Sequence, residues 1–310
     1  HDALPISGYF SAVIGGRHNS ATTYYSFIGA GDRNLVSKNP YSHGYNASLV
    51  VGGKYNKAFD GYGNSGSFIG GGNNNIASGS YYTWSIVGAG NNNKALGDYS
   101  SVLGGKYNSA VGYGSVVVGG NSNTSNGKYS FIGSGFQNTA NTFNSVVVGG
   151  NRNAIFNGDH SIIGGGKNNY TNGAYASILG GRYNQTLAQF TTVGGGFQNT
   201  ASTTYATVVG GQGNIASGKW ASVLGGWINK ATAYYSSIGG GAANNASNIY
   251  TFIGNGSNNT ASGQWSTIVG GIQNISSNKA TFIGGGAINK AIGGYSTVVG
   301  GHQNISSGNH

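Results

Sequence analysis

Residues Asn289 to Gln303 read NKAIGGYSTVVGGHQ, and this 15-residue string, with modest substitution, recurs along the chain. Asn108, Asn123, Asn138 and Asn153 lie 15 residues apart, as do the asparagines from Asn169 through Asn184, Asn199 and Asn214 to Asn304. One extra residue separates the two series, and Asn19 to Asn34 is a further 15-residue step. Tyr295 to Val299 is aromatic and β-branched, which suits a strand. Gly300 and Gly301 follow at once and can take the positive φ of a turn. A second short strand is expected around Asn304, with a Ser-Gly turn closing the unit.

So short a unit cannot bury its own apolar face and must stack on its neighbours. Helix is a poor alternative, because the apolar runs are only three or four residues long and end in Gly-Gly. An identical unit of fixed length returns to the same register each time, so parallel coiling is expected rather than a hairpin meander. The predicted fold is all-β, a parallel β-solenoid or β-roll of about eighteen turns stacked at ~4.8 Å. Residues 1–8, beginning HDALPIS, fit no part of the pattern and read as a leader or junction. Residues 9–93 read as irregular repeats with inserted loops, and 94–310 as regular 15-residue repeats.

Successive strand residues face opposite ways. In STVV, Val298 points to one side while Thr297 and Val299 point to the other; one unit earlier Ile283, Phe282 and Gly284 stand in those places. Both faces therefore carry large apolar side chains. One fills the coil, and the other either packs against further chains or stays as a mildly apolar surface. Phe131, Val148, Phe282 and Val299 are the candidate inter-chain packing residues. Gly133, Val148, Gly164 and Leu179 alternate small and large along this seam, a pattern that interdigitates well, although Val209 followed by Leu224 breaks it.

Composition narrows the function. The 310 residues include 61 Gly, no Cys and no Met, and only 6% are charged. Disulfides and thiol chemistry are excluded. No apolar run approaches the ~18 residues of a membrane span. The formal net charge is +10, but Lys and Arg are scattered singly, so nucleic-acid binding is not expected, while attraction to an acidic polysaccharide or cell surface stays open.

The strings YSTVVGGHQN, WASVLGGWIN, YATVVGGQGN and YSSIGGGAAN resemble the head repeats of YadA-like trimeric autotransporter adhesins, and are similar to repeats in bacterial surface fibres and phage tail fibres. The resemblance spans nearly everything from Tyr9 onward. It implies a left-handed β-roll with three chains side by side, acting in attachment. The chain starts and stops within a unit, which suggests a segment of a longer protein.

Chemistry-bearing residues are sparse. There is no Glu, and Asp2, Asp32, Asp60, Asp98 and Asp159 lie far apart in sequence, leaving no obvious carboxylate pair. Asp159 and His160 are the least implausible nucleus for a triad, yet adjacent strand residues face opposite ways. The Gly-rich strings precede no helix and read as turns, not phosphate loops. No catalytic, metal or cofactor site is expected. The Asn column reads as structural, since Asn tolerates left-handed geometry and its amide can bond the next turn.

Three early units exceed the period: Asn34 to Asn56, Asn56 to Asn75 and Asn75 to Asn93. Insertions in solenoids become loops. Tyr41, His43, Tyr45, Phe59 and Tyr62 are the candidate surface contacts there, for sugars or partner chains; length variation without a binding role is the other reading. The expected function is a structural or adhesive fibre or filament subunit, extracellular or at the cell surface, built from identical chains as a trimer or longer filament. A phage tail-fibre segment is the first alternative. An ice-binding solenoid is the second, and would need a continuous exposed Thr face.

Overall fold

A computed structural model describes residues 8–38, 47–61, 63, 65–79 and 84–309. The chain is all-β, a parallel β-solenoid of about 19 turns of roughly 15 residues. It divides into two compact units, 1–156 and 157–310. The division falls in the 16-residue step between Asn153 and Asn169. Among the described residues no helix is long and apolar enough to cross a membrane.

Within each unit, successive turns meet through three parallel contacts. The first joins strands such as Phe282–Ile283 and Thr297–Val298, pairing Phe282 with Thr297 and Ile283 with Val298. A second joins strands such as Lys290–Ala291 and Ile305–Ser306. The third is a single-residue bridge, such as Ala287 with His302. Each paired residue meets its equivalent one unit later, so a repeated 15-residue string propagates the same register.

The core is thin and repetitive. The inward residue of the first strand is Val or Ile, as at Val102, Val117 and Ile132 in the first unit and Ile178, Val193 and Val208 in the second; all are fully buried. Facing them is usually Ala, as at Ala110, Ala140, Ala201 and Ala216. Each buried Val or Ile contributes about 1.5–3 kcal/mol.

The strand is shorter than its composition predicts. Tyr295 lies outside it, with φ of 62°, and the strand is only Thr297–Val298. The same left-handed conformation recurs at the equivalent aromatic residue of other turns, including Tyr129, Tyr175, Trp220 and Trp265. Such backbone is uncommon for residues other than glycine. It reverses the local hydrogen bonding: the strand residue Phe282 donates its N–H forward to Ser296 O at 3.0 Å, whereas Tyr295 N–H donates back to Lys279 O at 2.8 Å.

A correction applies to the Asn column too. The column asparagines do not take left-handed geometry; the residue before each one does, as at Tyr107, Gln198 and even Ile288 at 58°. The asparagines instead turn inward, and those from Asn19 to Asn289 are buried. Asn123 Nδ2 donates to Gly119 O and Gly135 O, both at 2.9 Å, and its Oδ1 accepts from Asn138 N–H at 2.9 Å. One amide therefore ties its own turn to the next.

The early insertions lengthen strands as well as turns. Most strands have two residues, but Leu35–Lys38, Lys57–Asp60, Gly66–Ile69 and Trp84–Val87 have four. Phe59 is thus not in a loop as expected but in a strand, paired with Ser37 and Ser78. Widening a turn lets the ladder on either side extend, because neighbouring wide turns supply the partner backbone.

One buried carboxylate lies in this widened region. Asp60 is 1% exposed, its Oδ1 accepts from the Ser48 hydroxyl, and its Oδ2 has no hydrogen-bond partner. Burial pushes the carboxyl up to about 6 from its ordinary 3.8, against weaker opposing effects of Ser48 and of the nearby Thr23 hydroxyl, which forms no complete hydrogen bond. The neutral form is therefore favoured by folding. Stability contributed here is greatest below the ordinary value, falls as pH rises from about 4 to about 6, and levels off above that, lower by about 3 kcal/mol. Urea unfolding as a function of pH is expected to show this step in the first unit. Asp60→Asn should remove it and stabilise the protein at pH 7; an unchanged pH profile would refute the assignment.

Candidate functional site

The second apolar face lies on the outside of the first-strand ladder. Within it the four candidate packing residues behave differently. Val148 and Val299 are 49% and 80% exposed. Phe131 and Phe282 instead lean along their own strand, where a Cβ added at Gly133 or Gly284 would lie 3.6 or 3.5 Å from the ring. Phe27, Phe68 and Phe252 sit the same way over Gly29, Gly70 and Gly254. The space a glycine leaves is therefore filled from within its own turn in the Phe-containing units.

Those glycines are also sterically required. A Cβ at Gly194 would lie 2.3 Å from Val209 O, and at Gly254 2.5 Å from Val269 O. The turns carrying Val or Leu present these side chains outward, with Leu103 and Val118 in the first unit and Leu179, Val209 and Leu224 in the second all exposed. Each unit thus carries a row of uncovered aliphatic side chains. The column two residues before does not form a continuous Thr face: Thr192 and Thr207 are followed by Ser222, Ser237 and Phe252.

A second surface was not anticipated from the sequence. In the second unit, His160, Tyr175, Phe190, Tyr205, Trp220, Tyr235 and Tyr250 form a ladder of parallel rings, with centroids 3.8–6.1 Å apart and interplanar angles of 4–12°. The signal was present as a recurring aromatic before Ser, Ala or Thr. Treating that residue as part of the strand concealed it, since in a strand it would alternate with its neighbours rather than stand out on a corner. Such pairs add about 0.5–1.5 kcal/mol each beyond burial. Their faces lie against one another, so between successive rings only edges and hydroxyls meet solvent.

His160 is the first ring of this ladder, stacked on Tyr175 at 4.9 Å. Its role is thus accounted for by packing. Among the described residues no group of three or more His, Cys, Asp or Glu could hold a metal ion. Phe59 is half-buried in its strand, while Tyr41, His43, Tyr45 and Tyr62 lie outside the described residues.

The fold and these surfaces define the chain as a β-solenoid repeat protein, a structure consistent with a fibre-like component. No family model matches the chain, and no curated protein sequence matches it.

Proposed function

We propose that the chain is a structural or adhesive fibre subunit, acting outside the cell or at its surface, in which copies associate laterally through the outer face of the first-strand ladder. The observation carrying this reading is the row of uncovered aliphatic side chains, with Leu179, Val209 and Leu224 all more than half exposed. Apolar rows of this kind mark interaction surfaces. The likeness of the repeat strings to YadA-like adhesin heads supports three chains as the arrangement and attachment as the role. A non-enzymatic role agrees with the lack of paired acids in the sequence.

Sedimentation velocity on the full chain tests the association. An assembly larger than a monomer is expected, and Leu179→Lys with Leu224→Lys should convert it to monomer while circular dichroism stays β-type. A wild-type chain that remains monomeric at tens of micromolar would sink lateral association.

A further inference from the structure

Basic residues scattered singly in the sequence are brought to one edge of the first unit. The single-residue bridges run from Arg17 through Asp32, Lys54, Asn73 and Asn91 to Lys106, and on through Asn121 and Phe136 to Asn151. Arg33 and Arg152 are the residues immediately after Asp32 and Asn151, and their left-handed backbone, at 56° and 55°, keeps them at the same corner. Arg17, Arg33, Lys54, Lys106 and Arg152 are all exposed there. The one acid among these positions, Asp32, accepts from Arg17 at 3.3 Å and lies 3.7 Å from Lys54.

We propose that this edge of the first unit binds an anionic polysaccharide lying along the stack of turns. Lys54, Lys106 and Arg152 are three turns apart in succession, a spacing of about 14 Å at the usual strand separation. The turns between them present neutral amides, Asn73 and Asn91 after Lys54 and Asn121 and Gln137 after Lys106. Widely spaced cations separated by hydrogen-bonding groups match a chain whose carboxylates or sulfates are separated by neutral hydroxyl-bearing sugars.

A nucleic acid is matched less well. Its phosphates recur at about 3.4 Å along each strand of a duplex, and single strands are bound by stacking bases on open aromatic faces. The two tyrosines of this edge do not offer such faces freely. Lys54 and Arg33 lie over Tyr55, 5.0 and 5.5 Å from its centroid, and Lys106 lies 5.0 Å over Tyr107.

This inference rests on the surface-fibre reading only for where the partner is met. The test uses the full chain and immobilised alginate, which carries carboxylates, and heparin, which also carries sulfates, with neutral dextran and duplex DNA alongside. Binding to one or both acidic glycans is expected, weakening with salt. The variant Lys54→Gln, Lys106→Gln, Arg152→Gln should lose affinity by about tenfold or more, and Asp32→Asn should gain about threefold. Lys230→Gln, Lys279→Gln, Lys290→Gln, which removes equal charge from the second unit, should change affinity by less than about twofold. Circular dichroism on each variant separates misfolding from lost binding, and the Asp32→Asn gain requires a folded protein.

Equal loss from the two triple variants, equal retention on dextran, or tighter binding to DNA than to either glycan would overturn the proposal. Sedimentation of the same samples separates it from lateral association. A monomer that binds glycan through this edge removes only the association, and an assembly indifferent to both glycans removes only the edge.

Discussion

Gly211→Ala is expected to destabilise the second unit by at least about 3 kcal/mol, while Gly210→Ala, one residue earlier, should change stability by no more than about 0.5 kcal/mol. The two glycines are indistinguishable as letters. Gly211 has φ of 88°, and a Cβ there would lie 2.2 Å from Gly226 O and 2.5 Å from Asn214 Nδ2. That carbonyl cannot retreat without loss, because it accepts from Gln212 N–H at 2.9 Å and from Asn214 Nδ2 at 2.9 Å. Backbone strain and two weakened hydrogen bonds therefore add together. Around Gly210 an added Cβ meets nothing within 4 Å. Urea denaturation of both variants is the measurement, and equal effects would contradict the turn geometry.

Asn123→Ala should cost about 3 kcal/mol in the first unit. The lost amide leaves Gly119 O and Asn138 N–H without the hydrogen bonds they now make to it, and Gly135 O keeps only its bond from Asn121 N–H at 2.8 Å. A buried group left unpaired costs about 1–3 kcal/mol, which applies to Asn138 N–H, while the half-buried Gly119 O adds less. Asn123→Asp should be worse than alanine. A carboxylate could still accept from Asn138 N–H, but it would turn a buried charge toward two carbonyl oxygens with nothing to donate. Stability in repeat arrays is shared between nearest neighbours, so the damage should centre on adjacent turns. Hydrogen exchange at Ser109–Ala110 and Thr139–Ala140 would report it, and unchanged protection there would refute the role given to the amide.

These two cases show why parts of the structure were readable and others not. The 15-residue spacing of the asparagines required a unit that returns to register, and short Val- and Ile-containing strands ending in Gly-Gly excluded helix. The second face was legible from the alternation around Val298 for the same reason, since side-chain direction in a strand follows from chain geometry alone. Tyr295 departs from the strand its type favours on average, because hydrogen bonding back to Lys279 holds it in the left-handed region. Phe59 departs from the loop expected of an insertion because the neighbouring wide turns offer it ladder partners.

Sequence alone, through its period and its strand pattern, determined that the chain is a parallel β-solenoid with apolar residues on both sides of one strand. Which residues meet across turns was decided only by the tertiary structure. Stacking places residues 15 or more positions apart within one strand spacing of each other. That turned dispersed aromatics into a ladder in the second unit, and isolated Lys and Arg into a charged edge in the first. It also showed that Phe131 and Phe282 cover glycines of their own turns, leaving Val148 and Leu179 as the more open members of the outer face. The physical reason is that inward or outward direction is set locally by the strand, whereas proximity between turns depends on the register of the whole stack.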